Sequence, residues 1–375
     1  MSKGRVLISG GAGFIGSHTA EELLRAGYQV RLLDNLTPPV HDGSGTWPSW
    51  LPKEAERVLG DVRNAEDWRR ALQGVDAVIH LAAYQDLLPN FSQFFHVNSV
   101  GTALLYEVIV AEKFPVRKVV VASSQFVYGE GRYHCQKDGE VHPAGRDPQR
   151  LLRGQWEPVC PVCGDAIRPM PLLESHAHPT NQYSISKYSQ ELMAVALGRN
   201  YQIPSVALRY SIVQGARQSY RNAYSGVLRV FTLQMMNGQP ASVFEDGRQL
   251  RDYVNVSDVA RANRMALESD AANYEVFNVG GGRAYTVLEF GEMVAEALGV
   301  KARWQMLGEY RLGDTRHSVS DITKIQQRLG WQPTKTPRDS VREYADWIRS
   351  QNVDRDYAAE ALAALRRSGA LRKAG

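Results

Sequence analysis

Cysteine is scarce in this chain: three occur in 375 residues, all between positions 135 and 163. An odd, localised set argues against an extracellular disulfide framework, which needs an even set of cysteines to pair. Long apolar runs are missing too, since none approaches the ~20 residues of a membrane span. The opening Met-Ser-Lys-Gly-Arg-Val lacks the apolar stretch of a secretory leader. Both absences point to the cytoplasm and to no membrane partner. Charge is close to balanced. The formal +4 equals the four cations Arg366, Arg367, Arg372 and Lys373 of the last ten residues, so no basic stripe remains to track a nucleic acid. That tail reads as a solvated, frayed end. No long internal repeat or low-complexity linker interrupts the chain, and 43% hydrophobic with 22% charged residues suits one large or two modest globular domains.

What is present is an alternation of short β-branched runs and amphipathic stretches, the pattern of a parallel sheet covered by helices. Strands are expected over 5–8, 29–33, 77–81, 118–122 and 205–208, and helices over 15–26, 64–72, 97–113 and 184–200. The fold class is α/β, a Rossmann-type doubly wound parallel sheet. Residues 1–212 form the expected dinucleotide-binding domain, with an insertion over 130–180 set apart by its Pro, Gly, His and Cys. From about residue 214 the pattern breaks into helices, glycine-rich turns and short strands, among them 241–244 and 276–279. Residues 213–350 are therefore mainly a smaller C-terminal substrate-binding lobe, and 351–375 a terminal helix over 353–365 with the basic tail.

Behind the first strand, Gly10, Gly13 and Gly16 bracket Phe14 and Ile15. Such glycines allow a tight turn, a close approach of backbone to a pyrophosphate, and close packing of the next helix. Asp34, followed by Asn35, ends the second strand, where a carboxylate accepts hydrogen bonds from an adenosine ribose and repels a 2′-phosphate. NAD is thus favoured over NADP. Asp61 and Val62 follow the third strand, where an acid and an amide can read adenine. Further on, Tyr183 and Lys187 stand four residues apart, on one face of the expected helix. A phenol with a pKa near 10 needs a neighbouring cation to act as a base at neutral pH, and Lys187 supplies one. Ser124 closes the strand over 118–122 at the sheet's carboxyl edge, where it can hydrogen-bond a reacting hydroxyl. These groups describe an alcohol-oxidising site with Tyr183 as base.

Ordered matches accompany them: His80-Leu81-Ala82-Ala83, Asn98-x-x-Gly101-Thr102, Val127-Tyr128-Gly129, Arg251-Asp252-Tyr253-Val254 and Arg311-Leu-Gly-Asp314. In these elements the chain resembles an extended short-chain dehydrogenase/reductase of the nucleotide-sugar epimerase and dehydratase group. The resemblance implies a bound, recycled NAD, contacted also by Leu81, Ala82, Ala83 and Asn98. It implies a nucleoside-diphosphate sugar as substrate, with Arg251 and Arg311 at its diphosphate, which suits the guanidinium fork. It implies a homodimer formed through the helices over 97–113 and 184–200. Dehydratases of the group carry an Asp-Glu pair after the Ser/Thr position; here stand Gln125 and Phe126, neither of which titrates. A 4-epimerase is therefore expected over a 4,6-dehydratase or a reductase. Ile212 replaces an asparagine found in many epimerases, which leaves the sugar open. An apolar Phe126 suits a 6-deoxyhexose such as dTDP-L-rhamnose, a UDP-hexose being the other expectation, although Phe126 equally suits core filling. A catalytically silent dinucleotide sensor is the alternative of another class.

The cysteines have a pattern of their own. Cys160-Pro-Val-Cys163-Gly164 has the spacing of a zinc knuckle, and Cys135-Gln-Lys-Asp138-Gly139 repeats it with a carboxylate in the last ligand place. Cys135, Asp138, Cys160 and Cys163 form a candidate structural zinc set, with His134 or His142 as substitutes for Asp138. The other reading is a decayed ribbon that folds without metal. Because the insertion leaves the sheet just after Gly129, it is expected at the active-site rim, as a lid or a substrate-shaping element.

Overall fold

The computed structural model describes residues 3–86, 88–222 and 226–375. Seven parallel strands form the central sheet in the order Val276–Val279, Ser205–Tyr210, Lys118–Ser124, Ala77–His80, Arg5–Ser9, Gln29–Asp34, Glu56–Leu59. All seven residues of Lys118–Ser124 are buried, which fits its central place and its valine run. Alternate side chains leave opposite faces: Val120 and Ala122 join Ile8, Leu23 and Phe277 in one core, whereas Val119 and Val121 join Trp68, Leu105 and Ile109 in the other. The strand order reverses between Arg5–Ser9 and Ala77–His80, and a doubly wound sheet opens its ligand crevice at such a switch.

A third core, containing Phe231, Tyr253, Phe290 and Tyr344, is built by helices Gly226–Met236, Val287–Leu298 and Pro337–Arg349 with short strands. The lobes are less separate than expected. The strand placed by sequence in the smaller lobe, Val276–Val279, extends the main sheet beside Ser205–Tyr210. Helix Val256–Glu268 returns with it and packs on the first helix, where Asn263 donates to Thr19 at 3.1 Å and Arg264 pairs with Glu22 at 2.8 Å.

Four further expectations are corrected. The helix expected from residue 97 begins at Phe91 and contains a π-helical stretch, Phe95–Val100, before Gly101–Ala111. Against the expectation that no apolar run approaches the length of a membrane span, the 21-residue run Phe91–Ala111 would pass for one by length and composition. Its Leu105, Tyr106, Val108 and Ile109 are nevertheless buried on the sheet, so it serves as a core helix. The terminal helix is Tyr357–Arg367, four residues later at its start than expected. The basic tail is not frayed: Leu371–Lys373 pairs antiparallel with Glu309–Arg311, and Arg366 bridges Glu309 at 2.8 Å. The insertion forms its own antiparallel sheet, with Arg132–Cys135 between Gly139–Val141 and Ile167–Met170.

Candidate active site

A cavity of about 850 Å³ runs from the glycine turn, along the carboxyl ends of the central strands, into the smaller lobe. At one end Gly10 adopts φ +67°, and a Cβ there would lie 2.7 Å from the Ala82 amide nitrogen. A Cβ on Gly16 would overlap the Gly10 carbonyl. Only glycines permit this turn, and the bare backbone they leave beside the N-terminus of helix Phe14–Arg25 suits a diphosphate. Asp34 sits below, its Oδ2 accepting the Ala12 amide at 3.0 Å and its Oδ1 the Leu36 amide at 2.9 Å. Asp61 accepts from Asn35 at 3.1 Å and from Arg63. Burial alone would raise the Asp61 carboxyl; the bonds from Arg63 and Asn35 outweigh that and hold it at about 2. Val62, Leu81, Ala82 and Ala83 line the same end of the cavity, between the glycine turn and the two acids.

Asn98, expected beside the cofactor, is fully buried and, like Lys187, is not among the residues that line the cavity. Its Oδ1 accepts the Tyr84 amide at 2.8 Å while its Nδ2 donates to the Tyr84 carbonyl at 3.0 Å and to Ser186 at 2.9 Å. The side chain thus fixes the cavity-lining segment at Tyr84 to the helix that carries Tyr183, and the π-helical turn around it provides the local geometry.

That helix, Gln182–Asn200, starts at a reciprocal cap between Asn181 and Ser184, which fixes its first turn beside the cavity. Tyr183 lines the cavity from this turn, packed by the ring edges of Phe126 at 6.0 Å and Phe94 at 6.5 Å between centroids. One turn on, Lys187 is buried and donates to the Ala122 carbonyl at 2.9 Å. Burial pulls its ammonium down to about 7. Ser124 ends its strand facing the cavity, and its Oγ accepts the Phe126 amide at 3.2 Å. Gln125 also lines it, held by the Ser318 hydroxyl at 3.0 Å.

At the far end Arg251 and Arg311 both line the cavity, gathered on Asp314 at 3.6 and 2.6 Å. Arg251 is committed to its own wall: it donates to the carbonyls of Leu250, Thr315 and Arg316. Arg311 is more open, with about a quarter of its side chain exposed.

Sequence reasoning missed other residues around the site. A buried pair, Arg209 and Glu191, stands behind Ser123, with contacts of 2.6 Å between the charges and 2.9 Å from the Ser123 hydroxyl. Ala358, Ala361, Leu362 and Leu365 of the terminal helix form an apolar cavity wall. Their i, i+3, i+4 spacing is the signal for it. The insertion, by contrast, contributes no described residue to the cavity lining. Cys135, Asp138, Cys160 and Cys163 do converge, whereas His142 stands apart with Glu140 and His176.

The profile described as "NAD dependent epimerase/dehydratase family" matches residues 6–149 and 161–280, and the unmatched stretch between them lies within the insertion. The dTDP-L-rhamnose 4-epimerase of Burkholderia thailandensis is 31% identical over 356 residues, covering 94% of this chain and 96% of that protein. Among solved structures, UDP-glucose 4-epimerase of Thermotoga maritima with UDP-glucose aligns at TM-score 0.73 and 29% identity, over 92% of this chain and 98% of that one. UDP-glucose 4-epimerase of Thermus thermophilus with NAD aligns at TM-score 0.72 and 30% identity, over 93% and 100%.

Proposed function

The chain belongs to the NAD dependent epimerase/dehydratase family, and from that premise we propose that it inverts C4 of a nucleoside-diphosphate hexose through a transient 4-ketone. It is an NAD-dependent nucleotide-sugar epimerase; the carbon inverted, the base and the sugar are our reading. The observation that carries it is a single cavity bounded by the glycine turn and Asp34 at one end, Ser124 and Tyr183 at its middle, and Arg251 and Arg311 beyond.

Gly10, Gly13 and Gly16 would hold NAD, which would supply reversible hydride acceptance for the C4 carbinol. Tyr183 removes the proton of the C4 hydroxyl and gives it back after the ketone has turned. Because the Ser124 oxygen already accepts the Phe126 amide, its own O–H is left to donate to the reacting oxygen. A phenolate at Tyr183, one helical turn away, would favour the charged form of Lys187 against the pull of burial. Arg311, with Arg251 behind it, meets the diphosphate.

Epimerisation rather than dehydration is supported by the two residues after Ser124. Gln125 is an amide held by Ser318, and Phe126 presents an aromatic edge to Tyr183, so neither offers a proton for loss of the C6 hydroxyl. An apolar Phe126 also favours a 6-deoxyhexose, with dTDP-L-rhamnose ahead of a UDP-hexose. We infer a homodimer through the outer faces of the helices flanking the site, where Phe95, Val100, Ile185 and Leu192 are exposed, and a cytoplasmic location for a chain whose three cysteines form no disulfide.

The test is incubation with dTDP-, UDP-, GDP- and CDP-hexoses, with separation of the products. Interconversion of C4 epimers without net consumption of NADH is expected; a 4-keto-6-deoxy product would reassign the enzyme to dehydration. Absence of turnover on every sugar would favour the silent sensor.

A further inference from the structure

We propose that Cys135, Asp138, Cys160 and Cys163 close around one zinc ion, and that this metal stiffens the insertion so that Arg146 and Glu157 brace the loop over 314–317. The four ligand atoms lie within 4.8 Å of one another. Asp138 Oδ2 is 3.2 Å from Cys135 Sγ and 3.1 Å from Cys160 Sγ, and the sulfurs of Cys135 and Cys163 are 3.5 Å apart. A tetrahedron with metal–sulfur bonds of about 2.3 Å has edges of about 3.8 Å, so small adjustments admit the ion.

Two hairpins bring the ligands together. Cys135 ends a strand that turns through Asp138 into Gly139–Val141, and Cys160 follows a bridge between Val159 and Ala166. Both turns close on a glycine in the left-handed region, Gly139 at φ +74° and Gly164 at φ +79°. The Val162 amide points at Cys160 Sγ, 3.4 Å away, as in a knuckle that holds a thiolate. Lys137 of one turn pairs with Asp165 of the other at 2.8 Å, which ties the two turns together. The apolar core here is only Tyr133, Cys135, Val141, Cys160 and the edge of Ile167. So small a core needs a staple. A disulfide between Cys135 and Cys163 would supply one, but it would leave Asp138 beside Cys160 without a reason. Thiolate ligands in a closed set of four select zinc.

The staple has a consequence at a distance. Glu157, just before the second knuckle, pairs with Arg316 at 2.6 Å and His317 at 2.9 Å. Arg146 pairs with Glu245 at 2.7 Å and donates to the Asp314 carbonyl at 3.0 Å. The braced loop supplies the Thr315 and Arg316 carbonyls that hold Arg251. An effect of this bracing on substrate rests on the reading that Arg251 and Arg311 meet the diphosphate; metal binding is tested without it.

Protein produced in zinc-supplemented medium is expected to carry about one zinc per chain by elemental mass spectrometry. Cys163→Ser, at an exposed ligand, should lose it, while Asp138→Cys should keep it. Exchange with cobalt should give the thiolate-to-cobalt charge-transfer band, a readout that holds even if Cys163→Ser fails to fold. Folded wild-type protein that takes up neither metal stoichiometrically, or that shows fewer than three titratable thiols and no metal, overturns the site. Chelation should lower Tm and raise KM several-fold with kcat kept; full metal loss with Tm and KM unchanged overturns the bracing.

Discussion

Tyr183 can act as a base only where its phenolate is stabilised, and the cation proposed for that is Lys187, one helical turn away and buried against the Ala122 carbonyl. A phenol with no cation beside it has a pKa near 10, and only about one molecule in a thousand is ionised at pH 7. For Lys187→Met we therefore expect turnover at pH 7 to fall by at least ~100-fold and to recover by about tenfold per pH unit toward pH 10. Tyr183→Phe should stay inactive at every pH, with NAD still released on denaturation. A low but flat profile for Lys187→Met would mean that the lysine only positions Tyr183. At this scale the site is legible because its signals are short: the glycine spacing, the Tyr183–Lys187 interval, and a serine ending a valine strand. Residues that act through distant partners are not. Asn98 reads from sequence as a cofactor contact, yet its partners Tyr84 and Ser186 meet only in the folded chain. Glu191 with Arg209 has no local pattern at all.

The strand-to-helix turn is the element that tolerates least. Replacing Gly16 by alanine drives a methyl into the Gly10 carbonyl, and neither backbone can give way without moving the Ala82 wall. Overpacking of this kind costs about 1–3 kcal/mol, and the cradle itself would widen. Gly16→Ala should lose copurifying NAD and several degrees of Tm; full NAD content would contradict the cradle. The loop carrying Asp314 makes a second prediction. Burial pushes the Asp314 carboxyl up, but Arg311, Arg251 and Arg146 outweigh it and bring it to about 2. Its folded pKa lies below the unfolded value near 3.9, so the unfolded chain takes the proton first as pH falls. The stabilisation is complete above about pH 4 and is lost as pH drops toward 2, on the order of 2 kcal/mol. Urea unfolding at pH 5 and pH 3 should show a smaller acid loss for Asp314→Asn than for wild type; equal losses would remove Asp314 from the account. Element types are readable from periodicity, whereas the π-helical turn and the place of Val276–Val279 in the main sheet are not. A four-residue buried run carries no mark of which sheet receives it.

In the whole molecule, the segment that reads from sequence as a loose end joins three parts. Helix Tyr357–Arg367 lays Ala358, Ala361, Leu362 and Leu365 along the cavity. Strand Leu371–Lys373 pairs with the strand that ends in Arg311, and the Gly375 amide donates to the Leu152 carbonyl of the insertion at 2.8 Å. A run of four cations looks like a solvated tail because charge alone says nothing of a partner, and Glu309, which receives Arg366, lies 57 positions away. Truncation after Ser368 removes the strand pairing but keeps the helix, so Arg311 loses its neighbour while the glycine turn is untouched. The expected outcome is NAD content as in wild type, with KM for the nucleotide sugar raised several-fold and kcat changed little. Truncation after Arg355 also opens the apolar wall and should raise KM further, by at least another order of magnitude if the four side chains pack on the ligand. Equal KM in wild type and both truncations would show that the tail only decorates the lobe; loss of NAD together with substrate affinity would mean that it holds the whole fold rather than the substrate end.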